Sequence, residues 1–436
     1  MRRALLLLAA LAAVALSAAP AAAQTSYVPG EVIVRYEEGT SGGAATAVEA
    51  ASGTASGGAA LGSGSETLRI KDGDTVAHTV RELRKDPSVA YAVPNFIARA
   101  SAFTPNDPGY RLQWNLFGPN GVNMPEAWEL AAARGAPGGR GAVVAVLDTG
   151  VAYRRYGRFR RAPDLKRFTR GYDFVGEDRF PNDHNGHGTH VAGTIAQSTN
   201  NGIGTAGIAY QARIMPVRVL DSEGAGDTIS ISRGIRYAAR READVINLSL
   251  EFDARVQASQ IPDVVAALRY ARRKGSVVVA AAGNQGDAVV AYPARAPDVI
   301  GVAATTIRGC QSEFSNSGTQ VDLVAPGGGV DAPNADDPYD VQVCRPDARG
   351  RFIYQQTFLR SVRRFGLPGG YEGTSMSAPH VSGAAALVMA TGRLGRRNPT
   401  PAEVERHLEA TARDIGTPGF DDRYGNGLLD VAAALR

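Results

Sequence analysis

Six short apolar runs, at 142–147, 213–220, 245–250, 277–282, 299–303 and 321–325, constrain this chain more than any other feature. They are rich in β-branched residues and show little polar alternation. Between or after them lie helical patterns near 125–133, 187–197, 228–241, 262–274, 375–390 and 401–412. Strands of this kind must bury both faces. Separated by helices, they predict an α/β fold: a parallel sheet with helices on both faces. In such sheets the residues just past the C-terminal strand ends meet in a crevice. The residues at those ends therefore carry the functional question.

Residues 24–102 read differently. A strand alternates through Glu31–Tyr36, a second candidate spans 67–70, a helical face covers 75–84, and a last strand covers 89–93. The stretch 42–64 is rich in Ala, Gly and Ser, with little to fix its shape. Few core residues and mixed elements predict a small, marginally stable α+β unit. Residues 103–436 form the larger unit. Within it, 328–372 breaks the alternation and reads as a long surface excursion, with a hairpin through Phe352-Ile353-Tyr354.

Composition narrows the class. The chain has 436 residues, 44% hydrophobic, with a net charge of +4. The positive charge is nearly all Arg, in runs such as Arg158 to Arg161, with no aromatic-interleaved basic stripe. That argues against a nucleic-acid partner. Residues 1–23 combine a charged start at Arg2-Arg3, an apolar middle and the small-residue site Ala21-Ala22-Ala23, the pattern of an export signal. The apolar run is too short to span a bilayer, and no later run is long enough to anchor the chain. A soluble protein, extracellular or periplasmic, is expected. Cys310 and Cys344 are the only cysteines. An oxidising compartment favours a disulfide between them; the alternative is two separate thiols.

The chemistry gathers at the chain ends. The run 143–147 ends in Asp148-Thr149-Gly150, and a carboxylate there is costly unless hydrogen-bonded. His187 opens a helix between glycines that permit close approach of another chain. The run 277–282 leads into Gly283-Asn284. Gly373-Thr374-Ser375-Met376-Ser377-Ala378-Pro379-His380 leads into a helix of small apolar residues, with Pro379 placed for the first turn. Ser375 alone is no more than a helix cap. With the others it becomes a nucleophile. Acyl transfer from Ser needs a base, an acid that holds the base's tautomer, and donors for the oxyanion. The spacing of His187 and His190 lacks the Glu of a His-Glu-x-x-His zinc motif.

Four segments resemble the subtilisin-like serine peptidases: Val-Leu-Asp-Thr-Gly at 146–150, His-Gly-Thr-His-Val-Ala-Gly-Thr at 187–194, Ala-Ala-Gly-Asn at 281–284 and Gly-Thr-Ser-Met-Ser-Ala-Pro-His at 373–380. The resemblance implies a secreted endopeptidase that acts on polypeptides through an acyl-enzyme on Ser375, as a monomer and with no cofactor for catalysis. It implies His187 as the base, Asp148 as its orienting acid, and Asn284 with the Ser375 N–H as the oxyanion hole. It further implies that 24–102 is an inhibitory propeptide, ending in a segment like Asp86 to Asn95 and cut between Ala98 and Thr104, so that the enzyme is a self-processed zymogen. Two alternatives stand beside it: a permanent N-terminal domain, and a catalytically silent member that binds peptides. An ester hydrolase is disfavoured by the Asp-His-Ser order and the absence of Gly-x-Ser-x-Gly around Ser375.

The same resemblance assigns substrate contacts to Gly224, Gly226, Ser249, Leu250, Glu251 and Ala291. The family usually has glycines where Glu251-Phe252 stand. That departure either narrows the pocket or favours a basic side chain; otherwise Glu251 is a solvated loop acid. Ala291, expected near the pocket floor, replaces a glycine. Asp107, Asp164 and Asn201 match a structural calcium site of many relatives, with oxygen ligands suited to that cation. The alternative is that Asp164 caps a turn and Asn201 shapes a loop.

Overall fold

A computed structural model of the chain describes residues 27–61, 64–96, 103–334, 336–395 and 398–436. The export-signal segment lies outside the described residues, as does most of the expected cleavage region. The molecule has two compact units that divide between Ser101 and Ala102.

The first unit is β1 (Tyr27–Tyr36), α1 (Gly42–Ala51), β2 (Thr54–Leu61), β3 (Ser65–Ile70), α2 (Val76–Leu83) and β4 (Val89–Phe96). Its sheet runs β2-β3-β1-β4, with antiparallel pairs. Val32 and Val34 of β1 point inward with Leu68 of β3 and Val80 and Leu83 of α2. The stretch 42–64 corrects the expectation of a shapeless segment, because it forms α1 and β2. Ser41 caps α1, accepting a hydrogen bond from the Ala44 N–H. Ala is the best helix former, which supports the helix although Val48 is its one buried residue. Strand β2 is then held by backbone pairing with β3 more than by an apolar pattern.

The second unit begins with α3 (Met124–Ala133), β5 (Val143–Asp148), β6 (Tyr172–Asp173), α4 (His187–Ala196), β7 (Arg213–Arg218) and α5 (Thr228–Arg240). It continues with β8 (Val245–Leu248), α6 (Pro262–Arg273), β9 (Val277–Ala281), β10 (Ile300–Thr305), β11 (Leu323–Pro326) and α7 (Pro338–Val343). It ends with β12 (Thr357–Ser361), β13 (Arg364–Gly366), α8 (Thr374–Thr391), α9 (Pro401–Ala410) and α10 (Val431–Leu435). Among the described residues the main sheet has seven strands, in the order β11-β10-β9-β8-β5-β7-β6. All of its neighbours pair in parallel.

The pleat explains the unbroken apolar runs. Val144 and Val146 of β5 enter one core with α4 and α8, while Ala145 and Leu147 enter a second with α5 and α6. Helix α8 is buried nearly all round, from Met376 through Met389. Its small side chains let it lie against the sheet as a rigid central rod.

Pro379 departs from its expected place. Helix α8 starts at Thr374, so Pro379 lies inside it and not in its first turn. A proline there removes the hydrogen bond to the carbonyl four residues back, that of Ser375. The Ser249 hydroxyl fills the gap, donating to the Ser375 carbonyl at 2.8 Å.

The excursion at 328–372 is more than surface. Its hairpin is β12–β13, with Phe358 opposite Phe365, and does not run through Phe352-Ile353-Tyr354. Ile353, Gln355 and Thr357 are fully buried. The Ile353 carbonyl meets His190 Nε2 at 3.0 Å, and Tyr371 stacks on the His190 ring. Thr357 Oγ1 donates to the Gly186 carbonyl at 2.5 Å. The segment thus packs on the start of α4. Cys310 and Cys344 form a disulfide that ties the end of α7 to the loop after β10, with Cα atoms 5.8 Å apart and a sequence separation of 34. Closing a loop of that length contributes about 3–4 kcal/mol.

Candidate active site

Asp148 is the last residue of β5, and its carboxylate is fully buried. Its Oδ1 accepts from His187 Nδ1 at 2.8 Å and from the Thr149 N–H at 2.7 Å. Its Oδ2 is buried with no hydrogen-bond partner among the described residues. His187 is the first residue of α4, and its side chain is 25% exposed. The two elements approach so closely that a Cβ at Gly188 would stand 2.1 Å from the Gly150 carbonyl oxygen. Only glycine fits there. Burial disfavours the imidazolium of His187, but the Asp148 charge and hydrogen bond outweigh it, so the ring titrates above its ordinary value.

Sequence reasoning passed over Asp183, which organises this corner. It is fully buried and accepts from the N–H groups of Asn185, Gly186 and Thr189 and from the hydroxyls of Thr149 and Thr189. The Thr149 hydroxyl in turn accepts from the Gly188 N–H at 3.0 Å. Asp183 thereby holds the turn after β5 to the start of α4. A lone Asp in a polar loop gives no sequence signal for that role.

Ser375 is the second residue of α8. Its Oγ donates to the Ser249 carbonyl at 3.2 Å. Asn284, just past β9, accepts at Oδ1 from the Thr374 N–H at 2.8 Å and the Thr374 hydroxyl at 3.0 Å. These bonds fix the amide plane and leave Nδ2 as the free end. That Nδ2 donates to Glu251 Oε2 at 3.3 Å.

His187, Ser375, Asn284, Ser249, Leu250, Glu251, Gly224 and Gly226 line one cleft of about 540 Å³. At Gly226 a Cβ would lie 2.4 Å from the Val219 carbonyl oxygen, so the wall there excludes a side chain. Ala291 is not brought to the cleft. It is fully buried and donates its N–H to the Ala282 carbonyl. Glu251 is no solvated loop acid. It is half-buried, its Oε1 accepts from Gln285 Nε2 at 2.6 Å, and burial raises its pKa.

Asp107, Asp164 and Asn201 come together away from the cleft. Asp107 accepts from the N–H groups of Asn200 and Asn201 at 2.6 and 3.0 Å. Asp164 accepts from the side-chain amides of Asn201 and Gln197 at 2.6 and 2.9 Å. Both carboxylates are buried, and neither forms an ion pair among the described residues. Burial, with a lesser contribution from the Asp107 charge, pushes the Asp164 carboxyl up to about 6 against its amide hydrogen bonds. Gln197 Oε1 is buried and unpartnered beside them. Turning the two amides would present oxygen to a cation, so these residues fit a hard cation such as calcium. His190 is a structural histidine: burial pushes it down to about 3, and its Nε2 faces the Ile353 carbonyl.

The chain matches known proteins over most of its length. Residues 139–427 match the sequence model of the subtilase family, and residues 13–95 match that of the fervidolysin N-terminal prodomain. A thermophilic serine proteinase of Bacillus sp. (strain AK1) is 37% identical over 406 residues, 92% of this chain and 86% of that one. Thermitase of Thermoactinomyces vulgaris is 37% identical over 318 residues, 73% of this chain and 94% of that one. Among solved structures, a protease from Pseudoalteromonas arctica superposes with a TM-score of 0.61 at 32% identity, covering 76% of this chain and 99% of that one.

Proposed function

The chain belongs to the subtilase family of serine proteases and carries an N-terminal prodomain, and on that premise we propose that it is an exported endopeptidase made as a self-processing zymogen. The observation that carries the reading is the Asp148–His187 hydrogen bond, with His187 lining a cleft that Ser375 and Asn284 also line.

In this reading the Ser375 hydroxyl rotates from the Ser249 carbonyl toward His187. Its Oγ attacks the scissile carbonyl carbon while His187 Nε2 takes the proton. Asp148 keeps the other ring proton on Nδ1 and steadies the imidazolium. The oxyanion forms against Asn284 Nδ2 and the Ser375 N–H at the start of α8. His187 then returns its proton to the leaving amine, and water hydrolyses the acyl-enzyme by the same steps. Peptide lies along the backbone at Gly224–Gly226 and Ser249–Glu251. The residues 1–23 direct export, and 24–102 serve as the propeptide until cleavage between Ala98 and Thr104.

The test is a comparison of casein with a simple long-chain ester as substrates, together with mass spectrometry of the secreted protein. Casein hydrolysis with loss of residues up to the 98–104 region is expected. Binding of peptide without cleavage, or turnover of the ester alone, would sink the reading.

Asp107, Asp164 and Asn201 are proposed to hold a structural calcium ion, which would supply the positive charge that two buried carboxylates lack. Chelation is expected to lower the thermal midpoint of the holoprotein by about 5 °C or more. Asp164→Asn should show little further loss on chelation. A midpoint indifferent to chelator and to added calcium would remove the site.

A further inference from the structure

The carboxylate of Glu251 lies where the family resemblance leads one to expect glycine, and it holds the free end of the Asn284 amide. Resting on the endopeptidase reading above, we infer that Glu251 selects a lysine or arginine immediately before the scissile bond, because any other side chain leaves its carboxylate unpaired beside the developing oxyanion.

Geometry leads there directly. Asn284 has one donor end, because Thr374 occupies its carbonyl oxygen through both its N–H and its hydroxyl. A scissile carbonyl stabilised by Asn284 must bring its oxygen within about 3 Å of Nδ2. Glu251 Oε2 already stands 3.3 Å from that same nitrogen. The residue that carries the scissile carbonyl must therefore project its side chain beside the Glu251 carboxylate. Gln285 pins the other oxygen of that carboxylate at 2.6 Å, so Glu251 stays at the site.

Charge gives the sign. The hydrogen-bond partners of Glu251 are neutral amides, the side chains of Asn284 and Gln285 and the Asn284 backbone. Half-buried, it has no ion-pair partner among the described residues, and burial raises its pKa. Glu223 and Asp253 also line the cleft, and no lysine or arginine does among its described lining residues. Asp253 is already paired with Arg255. Glu223 is exposed to water, so the deficit falls at half-buried Glu251, next to the reacting carbonyl.

The consequence reaches the chemical step. With an uncharged side chain in place, Glu251 keeps one of the two Nδ2 hydrogens, and the oxyanion develops on the other beside an uncompensated carboxylate. With lysine or arginine in place, the cation neutralises that carboxylate where it stands, and the oxyanion no longer forms against an unpaired negative charge. Interactions made only in the transition state raise kcat. Discrimination here must appear in kcat as well as in KM. Gln285 is a positioning residue, acting through Glu251.

The test uses the processed enzyme and peptides that differ only before the scissile bond, with Arg, Lys, Leu or Gln there. Active-site titration fixes the concentration of competent enzyme. Wild type is expected to favour Arg and Lys over Leu by about 100-fold in kcat/KM, with part of the difference in kcat. Glu251→Gln, which keeps the volume, should bring that ratio below about ten. Glu251→Gly should in addition raise kcat on the Leu peptide. Equal cleavage of Arg and Leu peptides by wild type, or an unchanged preference in both variants, overturns the inference while leaving the endopeptidase reading intact. A wild-type protein that hydrolyses neither casein nor any of the peptides overturns both.

Discussion

Ser375→Ala is expected to lower peptide hydrolysis by about 10⁶-fold and to leave the precursor uncut. The reason is the singular position of the hydroxyl. It stands at the second residue of α8, in a cleft shared with His187 and Asn284. Without Oγ, His187 has no nucleophile to activate, while Asn284 and the helix start remain to bind the substrate. A small residual rate above the uncatalysed one should therefore survive. Folding should not explain the loss. The start of α8 is secured by Thr374 on Asn284 and by Ser249 on the Ser375 backbone carbonyl, and neither contact uses the Ser375 side chain. Electrophoresis would follow the precursor, and casein turnover the activity. Normal turnover or normal processing in this variant would remove Ser375 from the mechanism.

Asp148→Asn should cost about 10⁴-fold in kcat with the fold retained. The carboxylate is fully buried, and its Oδ1 accepts from both His187 Nδ1 and the Thr149 N–H. An amide of the same shape can present its NH₂ to Nδ1. The ring proton then moves to Nε2, the atom that must accept the serine proton. The pH profile separates this cause from misfolding. In the native protein Asp148 outweighs the opposing effect of burial and raises His187 above its ordinary value. His187 acts as a base only when neutral, so kcat/KM must fall as pH drops through that raised value, above about 6.5. In Asp148→Asn burial is opposed only by the lesser effect of the Asp183 charge, and the acid limb should move to lower pH. A limb that stays in place would assign the titration to another group.

The parts of this site that could be read from the chain were those that local rules determine. Asp148 follows an apolar run whose pleat buries both faces, so it had to stand at a strand end. Asn284 and His187 were placed by the same reasoning, through the end of β9 and the glycine-flanked start of α4. Family resemblance then joined them. Where local pattern was weak, reading fell short. The Ala- and Gly-rich stretch at 42–64 carries no periodic apolar signal, yet it forms a capped helix and a strand paired through backbone atoms. Pro379 looked like a first-turn proline because helices favour it there. Its tolerance inside α8 depends on Ser249, which stands 126 residues from Ser375.

The sequence by itself determined which side chains stand at the strand and helix ends, because hydrophobic period and chain stiffness act over a few residues. Only the tertiary structure decided how those ends face one another. It set Asp183 between two segments, buried Ala291, and packed the 328–372 excursion onto α4. It also laid Glu251 against Asn284, across 33 residues of chain. Such contacts form when separate elements fold onto one sheet, and no spacing along the chain encodes their distance.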